Sequence, residues 1–186
     1  MNYGEIKYCD IANGEGVRTS LFVSGCTHCC TGCFQSETWD FNFGEPFTQK
    51  QEEEIIKSLA PVYVDGLTIL GGEPMEPENQ RALLPFLKRV KEAHPQKSIW
   101  IYTGDTYEAL TSENSARHIE VTDELLTLID VLVDGLFIQD LYQCNLRFRG
   151  STNQRIIDVP ASRNSGFVQM WQDVPQYAKR EFKLSE

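Results

Sequence analysis

The sequence predicts an α/β fold on a mainly parallel sheet. Two observations carry this reading: short, near-continuous apolar runs recur along the chain, and the segments between them have helical periodicity. A third supports it, since each run opens into a glycine-rich or polar turn of the kind found at the carboxyl ends of parallel strands.

Four strands are expected, in "TSLFVSG" (19–25), "GLTILGGEP" (66–74), "SIWIYTG" (98–104) and "DVLVDG" (130–135). Between the first two, "TQKQEEEIIKSLAP" (48–61) begins with a Thr48-x-x-Gln51 capping pattern, puts Ile55, Ile56 and Leu59 on one face and stops at Pro61. Next, "ENQRALLPFLKRVKEAHP" (78–95) repeats Leu83, Phe86, Leu87 and Val90 at helical spacing, with Pro85 expected to kink it or mark a late start. "TDELLTLID" (122–130) supplies a third, shorter helix. No repeat or linker breaks the rhythm, so residues 1–158 read as one domain. Residues 159–186 read as an extension whose Phe167, Trp171, Tyr177 and Phe182 pack it against that domain.

At 186 residues and 41% hydrophobic content the chain can bury a core without disulfides. The 17 Lys and Arg against 27 Asp and Glu, a formal charge of −10, argue against nucleic acid as a partner. No apolar run approaches the roughly 18 residues of a membrane span, and no leader pattern opens the chain, so a cytoplasmic protein with reduced thiols is expected. One local basic stretch, "QCNLRFRGSTNQR", brings Arg147, Arg149 and Arg155 together for a carboxylate, a phosphate or an acidic partner; a solvated charged loop is the alternative.

The densest chemistry is "CTHCCTGC", which puts four of six cysteines in eight positions. Structural zinc wants four tetrahedral ligands, commonly from two separated knuckles, and only His28 adds to this loop. A four-thiolate electron-carrier cluster would need Cys9 or Cys144 as well. The spacing Cys26-x3-Cys30-x2-Cys33 permits a third arrangement, in which three thiolates hold three irons of a [4Fe-4S] cluster and leave the fourth open to a ligand. Cys29 is then a spare loop residue.

This spacing, followed one βα unit later by "GGEP", resembles the radical S-adenosylmethionine superfamily. More narrowly, "NGEGVRTSLFVSGCTHCCTGCFQSETWDF" resembles the activating enzymes of glycyl-radical enzymes. "VDGLFI" with "RFRGSTNQRIID" resembles those that act on anaerobic ribonucleoside-triphosphate reductases. The likeness runs from about Asp10 to Asp158, with Glu15, Gln35 and Gly32 departing from common family residues.

The resemblance implies an incomplete (β/α) barrel of the radical-SAM type. It implies a [4Fe-4S] cluster on Cys26, Cys30 and Cys33, with S-adenosyl-L-methionine contacted by Gly32, Cys33, Phe34, Gly71, Gly72 and Glu73. Asp134 is expected either to bind a ribose hydroxyl or to be a structural turn residue, and Arg147 to Arg155 to meet the cofactor carboxylate or the partner. Arg18 is expected to pair with a carboxylate. The implied reaction is reductive cleavage of the cofactor, with the 5'-deoxyadenosyl radical taking a hydrogen from a C-terminal glycine of the reductase large subunit. Flavodoxin or ferredoxin supplies the electron, and no general base is needed. The competing readings are an activase of another glycyl-radical enzyme such as pyruvate formate-lyase, a radical enzyme acting on a free metabolite, and a [4Fe-4S] electron carrier.

Overall fold

The computed structural model describes residues 1–172. The expected strands form β2 (Arg18–Val23), β4 (Gly66–Gly71), β5 (Ser98–Tyr102) and β6 (Val131–Asp134), flanked in sequence by β1 (Asn2–Asp10), β3 (Glu45–Pro46) and β7 (Arg155–Asp158). One sheet holds all seven, in the order β3-β1-β2-β4-β5-β6-β7. Its middle, β2-β4-β5-β6, is parallel. Both margins are antiparallel: β1 runs against β2 and β3, and β7 against β6.

The helices are α1 (Gln49–Ser58), α2 (Pro77–Ala93), α3 (Tyr107–Thr111), α4 (Thr122–Leu128) and α5 (Val159–Ser165). At the start of α1, Gln51 Oε1 accepts from Thr48 N at 3.2 Å and from Thr48 Oγ1 at 2.6 Å, as the capping pattern predicts. Helix α2 starts at Pro77, well before Pro85, so Pro85 lies inside it and marks no late start. Its Leu83, Phe86, Leu87 and Val90 are fully buried against Leu21, Leu67, Ile69, Ile99 and Ile101 of the sheet. Each such side chain contributes about 1.5–3 kcal/mol of transfer free energy.

Strand alternation divides the core. Ile99, Ile101 and Leu132 join the helix-side cluster, whereas Trp100, Val131 and Val133 form a second cluster on the other face, with Tyr102 against it. Arg18, 1% exposed, sits on that face with its guanidinium 5.3 Å from the Trp100 ring. The carboxylate partner expected for Arg18 is replaced by neutral oxygens: it donates to Thr68 Oγ1, Leu67 O, Ser98 O, Ser98 Oγ and Glu15 O. Burial pulls its pKa down to about 10.

The boundary expected at 158/159 falls on a helix cap, where Asp158 Oδ1 accepts from Ala161 N at 2.9 Å. Beyond α5, Met170 bridges Ile157, and Trp171 packs edge-on against Trp100 at 5.2 Å. Phe167 is instead 75% exposed, and Tyr177 and Phe182 lie outside the described residues. Among the described residues no helix is long and apolar enough to cross a membrane.

Candidate functional site

The carboxyl ends of the four parallel strands converge on a cavity of about 430 Å³, within the roughly 300–1,000 Å³ of small-molecule sites. Cys26, Cys30 and Cys33 line it, together with Phe34, Gly71, Gly72, Glu73 and Gly104. Phe22, Leu70 and Tyr102, from the non-helical face of the sheet, line it as well. Cys9 and Cys144 are exposed and do not line it, and Cys29 is an exposed residue held at φ 48°. The three cysteines of the x3/x2 spacing therefore share one space, apart from both candidate fourth thiolates.

Backbone contact fixes the cysteine loop. Gly25 N donates to Thr38 O, Cys26 N to Trp39 O and Glu73 N to Gly25 O, at 2.8, 3.2 and 2.8 Å. A Cβ on Gly72 would fall 2.6 Å from Gly25 O, and one on Gly71, at φ 109°, 2.7 Å from Val23 O. The two glycines of "GGEP" thus let the second strand end lie directly on the exit of the first. Gly32 is at φ 74°, where an added Cβ would fall 2.6 Å from Gln139 Oε1.

Polar side chains lock the loop from beneath. Glu73, 1% exposed, accepts from Met75 N, Gly104 N and His28 Nε2 at 2.7, 2.7 and 3.0 Å. His28 Nε2 also lies 3.3 Å from Asp105 Oδ2, and the two carboxylates push its pKa up to about 10. Glu76 Oε1 accepts from Thr27 N and Thr27 Oγ1, both at 2.7 Å. Arg117 completes the network, pairing with Glu76 and Asp105 and donating to Thr27 Oγ1. Asp105 Oδ2 faces both cations at charge-pairing distance, 3.0 Å from Arg117 Nε, without an aligned hydrogen bond.

His28, Glu73 and Asp105 form the only group of at least three ligand atoms within 4.8 Å of one another among the described residues. His28 bonds Glu73, and Asp105 faces His28 and Arg117 as a charge pair, so the group reads as a lock of the loop. His28 Nε2 is thereby engaged by both carboxylates. The three cysteine sulfurs are spread more widely than one tetrahedral ion would gather them, which suits a larger inorganic cluster. Burial pushes the Cys26 thiol up to about 12. The donor set, the glycine-lined wall and the cavity fit a three-cysteine [4Fe-4S] cluster with space for a small molecule beside it.

Two groups of expected site residues are engaged within the protein. Asp134 is fully buried and does not line the cavity; it accepts from Tyr107 N and pairs with Arg155 through both oxygens, so it braces the β6 turn instead of offering itself to a ribose. Arg155 is likewise committed, to Asp134 and Glu108, and Arg149 Nη1 donates to Gln154 O, so the three arginines do not form one open anion site. Arg147 stacks over Phe148 at 4.7 Å.

Sequence reading missed Thr27, Glu76, Asp105, Arg117 and Gln154. Glu76 and Asp105 stand within three residues of "GGEP" and "YTG", a signal that was available. Gln154 lies within "RFRGSTNQRIID", where attention went to the arginines; it bonds Gly150 N, Ser151 N and Gly135 O and lines the cavity.

Residues 12–157 match the family described as "4Fe-4S single cluster domain". The anaerobic ribonucleoside-triphosphate reductase-activating protein of Pasteurella multocida (strain Pm70) is 46% identical over 158 residues, covering 84% of this chain and 96% of its own length. The protein of that description from Escherichia coli (strain K12) is 42% identical over 156 residues, covering 83% and 96%. That of Enterobacteria phage T4 is 37% identical over 156 residues, covering 84% and 93%. With its cysteine-lined strand-end cavity and this likeness over most of its length, the chain belongs to the anaerobic ribonucleoside-triphosphate reductase-activating protein family.

Proposed function

We propose that this chain activates an anaerobic ribonucleoside-triphosphate reductase as a radical S-adenosylmethionine oxidoreductase. The observation that carries the reading is the set of Cys26, Cys30 and Cys33 on one cavity that neither Cys9 nor Cys144 lines, which leaves an iron for a small ligand. S-adenosyl-L-methionine held there would, on receipt of one electron from a flavodoxin or ferredoxin, break its sulfonium C–S bond to give methionine and a 5'-deoxyadenosyl radical, which would take a hydrogen from a C-terminal glycine of the reductase and leave as 5'-deoxyadenosine.

The chain's own residues bind, orient and exclude water. Cys26, Cys30 and Cys33 hold the cluster. The strand-end backbone at Gly71 and Gly72 receives the methionyl end, and Glu73 holds that turn against Gly104. The backbone from Gly32 to Phe34, with the Phe34 ring, flanks the adenine. The open sheet, with β3 and β7 as its margins, serves as an incomplete barrel that admits the partner's glycine segment. A protein substrate is favoured over a free metabolite by exposed apolar side chains at the mouth. Phe34 is 69% exposed and packs on Phe137 and Tyr142, and Leu136, Ile138 and Leu141 lie exposed in the same loop.

The test is anaerobic. The protein is reconstituted with iron and sulfide, reduced, and given S-adenosyl-L-methionine with and without the reductase. Release of 5'-deoxyadenosine with a glycyl-radical EPR doublet on the reductase is expected. Cleavage without the doublet would retain the chemistry and discard the partner, whereas a reducible cluster that cleaves nothing would favour the electron carrier.

A further inference from the structure

Arg117 belongs to an irregular segment between α3 and α4, far in sequence from every motif, yet its side chain ends beneath the cysteine loop. Its main chain is pinned first. Arg117 O accepts from the fully buried Gln80 at 2.8 Å and from Thr122 Oγ1 at 3.3 Å, and Arg117 N donates to Ser115 Oγ at 3.1 Å. The guanidinium, 14% exposed, then spends each nitrogen separately. Nη1 bonds Glu76, Nη2 donates to Thr27 Oγ1 at 2.8 Å, and Nε lies 3.0 Å from Asp105.

Thr27 stands between Cys26 and His28, and both its N–H and its hydroxyl are given to Glu76 Oε1. The peptide leaving Cys26 is therefore oriented by Glu76. Glu76, 4% exposed, is in turn oriented by the guanidinium. On the other side Asp105 abuts His28 Nε2, so one cation steadies both residues that follow Cys26.

We infer that Arg117 is a positioning residue for the iron–sulfur cluster, setting the direction of Cys26 through Thr27 and Glu76. The inference rests on the cluster reading above. Arg117 touches no cysteine; its effect passes through the loop. A lysine would keep the charge but could not serve three acceptors in the fork geometry. Groups that orient metal ligands in this way cost about 10- to 100-fold in metal affinity when removed.

The experiment compares the full-length reconstituted wild type with Arg117→Gln, Arg117→Lys and a control, Arg89→Gln, which removes an ion pair with Glu52 and Glu53 on the α1–α2 surface. The readouts are the rate of iron loss to a chelator and the EPR spectrum of the reduced cluster. About tenfold faster loss with an altered spectrum is expected for Arg117→Gln, with Arg117→Lys between it and wild type and Arg89→Gln unchanged. Thr27→Val, which removes only the hydroxyl, should shift the spectrum in the same direction and decides the matter if Arg117→Gln does not fold. Wild-type iron loss and spectrum in Arg117→Gln, or in Thr27→Val where that variant decides, would overturn the inference. A wild type that assembles no [4Fe-4S] cluster would instead overturn the reading on which it rests.

Discussion

Replacing Arg155 by alanine isolates the brace beneath the β6 turn. Arg155 Nε donates to Asp134 Oδ1 at 2.9 Å and Nη2 reaches Oδ2 at 2.5 Å, while the same guanidinium holds both oxygens of Glu108. The two pairs are not equal in worth. Glu108 is 58% exposed, and its bridge contributes about 0–1 kcal/mol. Asp134 is fully buried, and deleting its partner leaves a carboxylate with only Tyr107 N for company. Orphaning a buried charge costs about 3–5 kcal/mol, and the 31% exposure of Arg155 argues for the lower end, near 3 kcal/mol, because water can follow the deletion. At about 2–4 °C per kcal/mol for a chain of this size, the melting temperature should fall by roughly 6–12 °C. The assay is circular-dichroism melting of the cluster-free protein at neutral pH. Asp134→Asn in the Arg155→Ala background should return much of the loss, since the unpaired charge is then gone. A loss below about 1 kcal/mol, or no recovery in the double variant, would refute the reasoning and reduce the brace to a surface pair.

Cys30→Ala should abolish cluster assembly while Cys144→Ala retains it, measured as iron and sulfide per chain; equal loss would support four-thiolate ligation. Gly72→Ala must push its new methyl off Gly25 O, so it should cost about 1–3 kcal/mol in denaturant unfolding and at least halve the bound iron. In Glu76, burial raises the carboxyl pKa, but hydrogen bonds from Arg117 and Thr27 more than offset it and hold it below the ordinary 4.5. Its contribution is therefore fully present above pH 4.5 and is lost as pH falls through the lower folded value, so the stability gap between wild type and Arg117→Gln should narrow in acid titration. A gap that widened on acidification would be the contrary result.

The central strands and helices α1, α2 and α4 were legible because burial on both faces writes itself as continuous apolar runs and because these helices repeat their apolar residues at helical spacing. Strand β1, "NYGEIKYCD", was not, since it lies near the sheet margin with Glu5, Lys7, Tyr8 and Cys9 exposed, and its pairing with β2 shifts register twice, which breaks the alternation a strand would show. The cysteine spacing and "GGEP" were legible because each motif is local. The lock beneath them was not: Thr27 and Arg117 are 90 residues apart, and no spacing rule links them. Asp134 stayed open between two readings for a related reason, because an acidic residue at a strand end looks the same in sequence whether it faces a ligand or an internal arginine.

The sharing of Glu73 among Met75 N, Gly104 N and His28 has a consequence for assembly order. One carboxylate joins the loop after β2, the turn after β4 and the turn after β5, and it does so with protein donors alone. Small metal domains such as zinc fingers are unfolded without their ion, because no preformed site exists in the unfolded chain. Here the scaffold can mature first and receive iron and sulfide as a late, separable step, so oxidative loss of the inorganic core would leave a refillable receptacle and not an unfolded chain.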